Sequence, residues 1–357
     1  MSADDPTSNE PRRGAAAPVT LSEVAARAGV SVSAVSKVLR GTTAIRVSPE
    51  TRQRILDAAQ ELRYRPNFAA RALQAARTQV LGLVVPDLTN ALFTELMHGV
   101  EDAAAAHGYT VLLGRLDTDR PQTEVIARLL GEGRVDGLVL QATDGVDPAS
   151  LDQLLDPRAA VTLINSVAPG RASSVTVDDV GGGRTATEHL IALGHTRVAL
   201  AGGLPTSYTA QRRRRGHQEA MRAAGLEPLV DHETALGYTA AQGREALRRL
   251  LQLNPRPTAV VVANVNAAIG LLAEAHAQGI DVPGELSVAT VLDSWPAENT
   301  WPPLTAVRMQ FYAMGERAVA SVVQRLGDGA MTDEVVLDPP PELVVRGSTA
   351  PPSSHAP

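Results

Sequence analysis

Lys37 is the only lysine among the 33 basic residues of this 357-residue chain, and it falls in the run VSAVSKVLR from Val32 to Arg40. At helical spacing Val35, Val38 and Leu39 share one face of that run, leaving Val32, Ser33, Ser36, Lys37 and Arg40 nearer the other. A lysine so placed can donate to O6 and N7 of guanine, as an arginine can. A lone lysine among arginines also follows from codon usage. Groups suited to covalent or acid-base work are missing. There is no Gly-x-Ser-x-Gly elbow, no Walker loop and no His-Glu-x-x-His. His189 and His195 stand six residues apart, a poor fit to one helical face for a metal pair, and read as single surface or core histidines. Gly181, Gly182 and Gly183 lack the spaced dinucleotide fingerprint and read as a turn and helix start. With no cysteine, disulfides, thiol catalysis and cysteine-based zinc sites are excluded together. The pattern calls for no enzyme, no metal and no cofactor.

The elements that would hold the Lys37 face are legible. Thr20 followed by Glu23 is a capping box, and Leu21, Val24, Ala25 and Ala28 then recur on one helical face. Gly29 ends that helix, Ser31 caps the second, and two short helices around a glycine turn form a helix-turn-helix. Ser48, Pro49 and Glu50 open a third helix. It is expected to run to about Tyr64 and to break at Arg65-Pro66. Before this head, residues 1–18 lack hydrophobic periodicity and are expected to be disordered, with Arg12 and Arg13 solvated.

Charge is divided along the chain. The net is −6, yet residues 19–78 hold ten basic and four acidic residues, so that segment carries +6 and the remainder −12. A basic module on an acidic body is the footprint of a protein that touches DNA at one end. Small helical domains also vary widely in charge, so this supports the reading without settling it.

The blocks TLSEVAARAGVS, AVSKVL, VSPETR and YRPNFAARAL resemble the headpiece of the lactose-repressor (LacI/GalR) family. That resemblance implies DNA contacts at Thr20, Ser31, Val32, Ser33, Ser36, Lys37, Arg40, Tyr64, Asn67, Ala70 and Leu73. It implies a hinge helix within 66–78 that lies in the minor groove, with Leu73 as the wedge pushed between central base pairs. Leu73 packing on the body is the plainer alternative. The hinge has good helix formers but is too short to hold alone in water, so it is expected to order on DNA beside its twin. The loop 41–46 is longer than the family usually has, and Arg46 either reaches a phosphate or sits in water.

From Gln79 onward β-branched runs alternate with helices. The expected strands are VLGLVVPD, YTVLLGRL, VDGLVLQA, AVTLIN, SSVTVDD, RVALAGG, an extended piece near Tyr238, TAVVVAN and LSVATVLD. The expected helices are Phe93–His107, Gln122–Gly131, Leu151–Leu155, Gly182–Leu193, one through Arg213 to Ala224, Ala240–Leu251 and Ala267–Gln278. Such alternation implies parallel sheets with right-handed crossovers. The blocks DLTNALFTELMHGVEDAAAAHGY, VTVDDVGGGRTATEHLIALGH, PPLTAVRMQFYAMGERA and ELVVRGSTAPP resemble the periplasmic-binding-protein-like effector domain of the same family. The expected fold is therefore an all-α helix-turn-helix head on an α/β body of two parallel-sheet subdomains. The expected boundaries are a tail at 1–18, a head at 19–65, a hinge at 66–78, a body at 79–350 and a tail at 351–357. Subdomain 1 is expected at about 79–177 plus 308–337, and subdomain 2 at about 178–307 plus 338–350, with three crossings between them.

Ligands of open parallel sheets bind beyond the carboxyl ends of strands, which places a small-molecule site between the halves. Position in the matching motifs assigns Phe93, Asn165, Arg213, Tyr238, Asn264 and Asp293 to the effector. Their chemistry suits a polyhydroxyl or heterocyclic ligand. Asp293 as a loop cap and Phe93 as a core residue are the plainer alternatives, and most of Arg212 to Arg215 should be a solvated helix face. Two departures stand at the pocket mouth. The family commonly has Asn-Asp where this chain has Asn264-Val265-Asn266, and Gly-Tyr-Asp where it has Val291-Leu292-Asp293.

The expectation is a homodimeric transcriptional repressor of a pseudo-palindromic operator, controlled by a sugar-like or nucleoside-like effector. The alternative is a solute-binding protein for a small polar ligand without DNA-dependent function. The basic head and the want of an apolar leader weigh against it. No apolar run approaches the ~20 residues of a membrane span, and the cytoplasm is the expected compartment.

Overall fold

A computed structural model of the chain describes residues 19–39, 47–65, 77–89, 92–116, 122–142, 155–156 and 158–353. The expectations for 1–18, for 40–46 with Arg40 and Arg46, for 66–76 with Asn67, Ala70 and Leu73, and for the helix at 151–155 fall wholly or mainly outside them. The chain divides after Thr78 into two compact units.

The head holds α1 (Leu21–Ala28), α2 (Val32–Leu39) and α3 (Pro49–Glu61). Thr20 and Glu23 form the reciprocal cap. The Thr20 amide donates to the Glu23 carboxylate at 2.6 Å, and the Glu23 amide donates to the Thr20 hydroxyl at 3.3 Å. The Thr20 amide and the Thr20 hydroxyl, both donating to the carboxylate, hold the Glu23 pKa below the ordinary glutamate value. Gly29 takes φ 66°, the left-handed turn expected of it. Val24, Ala25 and Ala28 of α1, Val35 and Val38 of α2, and Ile55, Ala58 and Ala59 of α3 close one small core. The third helix stops at Glu61, short of the expected Tyr64. Arg63 turns left-handed at φ 51°, and the Tyr64 amide folds back to the Ala59 carbonyl at 2.8 Å. A helix C-terminus closed this way ends before the Arg65-Pro66 restriction acts.

The body opens with β1 (Val80–Val85), α4 (Leu92–Ala106), β2 (Thr110–Arg115) and α5 (Gln122–Ile126), which runs on as a π turn through Gly131. There follow β3 (Gly137–Leu140), β4 (Val161–Ile164), β5 (Ser173–Val177), α6 (Asp179–Ala192), β6 (Val198–Gly202) and α7 (Tyr208–Ala223). Next come β7 (Glu233–Ala235), α8 (Ala240–Leu250), β8 (Ala259–Val262), α9 (Val265–Ala277), β9 (Ser287–Val291) and α10 (Trp295–Glu298). The chain closes with β10 (Thr305–Arg308), α11 (Phe311–Asp328), β11 (Asp333–Val336) and β12 (Glu342–Val344). One sheet runs β11-β5-β4-β3-β1-β2 and the other β12-β10-β9-β8-β6-β7. All pairings are parallel except β12 on β10. The chain passes between the sheets after β5, after β10 and after β11.

Sequence boundaries shift where caps and close packing decide them. Helix α6 starts at Asp179, not Gly182, because the Asp178 side chain accepts from the Gly181 amide. The triple glycine is thus inside the first turns of a helix, not a turn before it. A Cβ on Gly183 would meet the Arg213 carbonyl, and one on Gly216 of α7 would meet the Val180 carbonyl. The glycines let two helix backbones touch. Helix α9 likewise starts at Val265 because Asn264 caps it. The extended piece expected near Tyr238 is β7, with Tyr238 in the bend beyond.

Candidate functional site

In the head, packing of α2 sorts its residues by face. Val35 and Val38 are buried and Leu39 half-buried, while Ser31, Val32, Ser33 and Lys37 are exposed and Ser36 is half-buried. Ser31 Oγ accepts from the Ala34 amide at 3.2 Å, which caps α2. Thr20 is exposed at the α1 cap, and Tyr64 is half-buried against the head core. Val32, at 43% exposure, is a large apolar side chain left outside the head core on the helix that also exposes Ser33 and Lys37. Such a face offers a cation, hydroxyls and an apolar contact at the spacing of base edges in a major groove. An Arg27–Glu61 ion pair at 2.7 Å ties α1 to α3 and holds the platform.

In the body, the strand ends gather polar groups. Asn165 follows β4 in the left-handed region, φ 54°, a conformation asparagine tolerates. Its Nδ2 donates to Gln141 Oε1 at 3.2 Å, and its buried Oδ1 makes no hydrogen bond. Asn264 follows β8 and is fully buried. Its Oδ1 accepts from the Ala267 amide at 2.9 Å, while Nδ2 makes no hydrogen bond. Arg213 projects from α7 into a buried ion pair, with Nε on Asp179 Oδ1 at 2.8 Å, and its Nη1 donates to the Ala263 carbonyl at 2.6 Å. Burial raises the Asp179 pKa, and the Arg213 charge offsets this in part. Asp293 follows β9, and both its oxygens lie in ion pairs, Oδ1 with Arg346 at 2.8 Å and Oδ2 with Arg308 at 3.3 Å. The preceding Leu292 sits at φ 78°, and the amides of Leu292 and Asp293 both donate to the Val307 carbonyl, at 3.0 and 2.9 Å. Strain of that kind is kept where the surroundings over-determine it, and here it aims the Asp293 carboxylate.

Tyr238 is half-buried, with its hydroxyl among Ser207 Oγ at 2.9 Å and Thr209 Oγ1 at 3.0 Å. Phe93 lies in the hydrophobic core at 3% exposure, the plainer of its two sequence readings. Across the halves, Asn266 Nδ2 of α9 donates to the Thr89 carbonyl beyond β1 at 3.4 Å. Four of the six candidates differ in what their polar groups still have to offer. Asn165 and Asn264 keep buried polar atoms with no partner, Arg213 is held by Asp179 and the Ala263 carbonyl, and Asp293 is charge-paired with Arg346 and Arg308 although its Oδ1 makes no hydrogen bond of good geometry.

Sequence reasoning missed those partners. Asp179 could have been found, since it is the last residue of the expected strand SSVTVDD in a parallel sheet. Gln141 follows a strand end. Arg346 had no such signal, because it meets Asp293 only through the last crossing of the chain. In the arginine run, Arg214 and Arg215 pair with Glu233 and Glu219 on the exposed face of α7, as a solvated face should. Arg212 stacks over the Tyr208 ring at 5.3 Å. Among the described residues, no cluster of His, Cys, Asp and Glu could hold a metal, and no helix is long and apolar enough to cross a membrane.

Comparison with known proteins covers both units. Residues 20–67 match the family described as "Bacterial regulatory proteins, lacI family", and residues 187–349 match "Periplasmic binding protein-like domain". The chain is 32% identical over 340 residues to the HTH-type transcriptional regulator DegA of Bacillus subtilis, covering 93% of this chain and 98% of that protein. It is 35% identical over 344 residues to the HTH-type transcriptional regulator CelR of Thermobifida fusca, covering 92% and 98%. Among solved structures, a LacI family transcriptional regulator from Mycobacterium smegmatis is 42% identical with TM-score 0.73, covering 76% of this chain and 100% of that one. The lac repressor dimer bound to operator and the anti-inducer ONPF is 26% identical with TM-score 0.79, covering 93% and 99%. A CelR–cellobiose complex is 30% identical with TM-score 0.68, covering 92% and 99%.

Proposed function

The chain belongs to the LacI family of DNA-binding transcriptional regulators, which are not enzymes, and from that premise we propose that it is a homodimeric repressor under small-molecule control. Two heads place α2 in successive major grooves of a pseudo-palindromic operator, in the cytoplasm where that DNA lies. Ser33, Ser36 and Lys37 with Arg40 read or grip the duplex, Thr20, Ser31, Val32 and Tyr64 flank that contact, and Asn67, Ala70 and Leu73 engage the minor groove at the centre. Leu73 is the wedge. Its exchange for alanine should reduce bending and specific affinity while sparing non-specific binding.

The observation that carries the proposal is the α2 face itself, where an exposed Val32 and Lys37 stand on a helix whose Val35 and Val38 are locked into the head core. Among the described residues, neither the Val32 nor the Lys37 side chain packs into the head core and Lys37 forms no ion pair.

The effector belongs between the two sheets of the body, where Asn165 offers an acceptor and Asn264 a donor. Paired donors and acceptors with the nearby arginine and aspartate already engaged suit a neutral sugar-like or nucleoside-like molecule. The CelR–cellobiose complex supports the sugar-like choice. The ligand acts by differential affinity for two subdomain arrangements, a coupling of typically ~1–3 kcal/mol. A thermal-shift screen of neutral sugars, nucleosides and sugar phosphates, followed by operator binding with each hit, tests this. A stabilising hit that alters operator affinity is expected. Hits confined to sugar phosphates would contradict the neutral ligand, and hits without effect on DNA would contradict the control.

A further inference from the structure

Two of the three connections between the sheets flank an open cavity of about 550 Å³ that none of the six cleft candidates lines. Arg308, Met309, Gln310, Tyr312 and Ala313, from the end of β10 into the first turn of α11, form one wall, and Pro339 to Glu342, from beyond β11 to the start of β12, form the other. The lining is mostly apolar: Met309, Tyr312, Ala313 and the three prolines Pro339 to Pro341. Its volume lies within the ~300–1,000 Å³ typical of small-molecule pockets.

Three features make it more than a surface crease. The walls are stiff, because proline fixes φ and the Tyr312 hydroxyl is anchored by donating to Asp102 Oδ2 at 2.8 Å. Its charges are spent, since Arg308 bridges Glu342 at 3.2 Å and Asp293 at 3.3 Å. One polar group is unspent. Gln310, itself 8% exposed, lines the cavity, and its Oε1 makes no hydrogen bond. A buried acceptor without a donor costs free energy that a ligand group can recover.

We propose that this cavity is a second ligand site, taking a small neutral aromatic molecule that carries one hydrogen-bond donor. The ring lies against Tyr312 and the prolines, and a turn of the Gln310 side chain brings its Oε1 to the donor. Because the walls come from two separate connections between the subdomains, an occupant couples their movement and biases the subdomain angle. That regulatory consequence rests on the repressor reading, whereas the binding does not.

The test uses the full chain with 2-naphthol, a neutral aromatic bearing one hydroxyl, in equilibrium dialysis. Wild type should bind it saturably at one site per chain. Gln310→Leu keeps the side-chain bulk and removes the acceptor, and should weaken binding about tenfold, the worth of one such hydrogen bond. Ala313→Trp fills the cavity from its rim and should abolish binding, and thermal melts check that each variant folds. Asn165→Ala, in the cleft, should leave naphthol binding unchanged. Absence of saturable binding, binding that survives Gln310→Leu and Ala313→Trp undiminished, or loss in Asn165→Ala would each overturn the site. Failure of the protein to bind operator would instead overturn the repressor reading, with naphthol binding unaffected.

Discussion

Arg213 and Asp179 form a buried ion pair in which the guanidinium Nε and Nη2 converge on one carboxylate oxygen at 2.8 Å, while the other oxygen, Oδ2, makes no hydrogen bond. The pair joins α7 to the first residue of α6 at the point where the chain has just crossed between sheets. Its two members respond differently to loss of the partner. An orphaned Asp179 can take up a proton, because burial already raises its pKa, but an orphaned arginine stays charged. Asp179→Asn should therefore destabilise the body by about 3–5 kcal/mol, the usual cost of stranding a buried charge. Arg213→Met should cost clearly less at pH 6. Urea denaturation of both variants decides it, and equal or reversed losses would refute the asymmetry.

Helices α6 and α7 touch through Gly183 and Gly216. Gly216→Ala puts a methyl group into the Val180 carbonyl, which is backbone and cannot rotate away. Overpacking of this kind costs typically ~1–3 kcal/mol. The melting midpoint should fall accordingly, whereas Gly131→Ala, where nothing lies within 4 Å, should be close to neutral.

How much of this is readable in the sequence follows from the range of each interaction. The first two helices of the head are legible because Thr20, Glu23, Gly29 and Val35 act over three or four residues. The succession of strands is legible because a β-branched run such as Val260 to Val262, set between turn residues, has the length and pattern of a buried strand. Where the third helix ends is not legible, because Tyr64 is drawn back by packing on the head core. The partners of Arg213 and Asp293 are hidden for a stronger reason. Asp179 lies 34 residues from Arg213, and Arg346 reaches Asp293 only after the final crossing, so neither contact leaves a local pattern.

Acidification should destabilise the body through His217. Its ring is buried between α6 and α7, and burial lowers its pKa from 6.5 to about 4. The Thr187 hydroxyl donates to the Gly183 carbonyl at 2.8 Å, so at 3.0 Å from that hydroxyl His217 Nδ1 is the donor. Between pH 6.5 and 4 the unfolded chain binds the proton and the folded one does not. Stability from this residue is therefore full above pH 6.5, falls as pH drops through that window, and is lost below 4, by about 3 kcal/mol in all. Urea melts from pH 7 to 4 should show this slope, and His217→Asn should flatten it. A slope unchanged by the substitution would contradict the assignment.

Asn165 should matter to ligand and little to stability. Removing its side chain breaks one 3.2 Å hydrogen bond to Gln141 and takes away the unpaired Oδ1. Asn165→Ala should unfold within about 1 kcal/mol of wild type while losing most of the thermal shift given by the effector. An undiminished shift would remove Asn165 from the site.

The most direct test of the whole account is fluorescence anisotropy of the full-length protein on a duplex from its own upstream region, with wild type beside Lys37→Ala, across a salt titration. Wild type should prefer that duplex to a scrambled one and lose affinity steeply as salt rises. Lys37→Ala should lose about 1–3 kcal/mol on the specific duplex alone, so that the preference collapses. A wild-type protein that binds neither duplex at low salt, or a Lys37→Ala protein with its preference intact, would contradict the claim that the exposed face of α2 reads DNA.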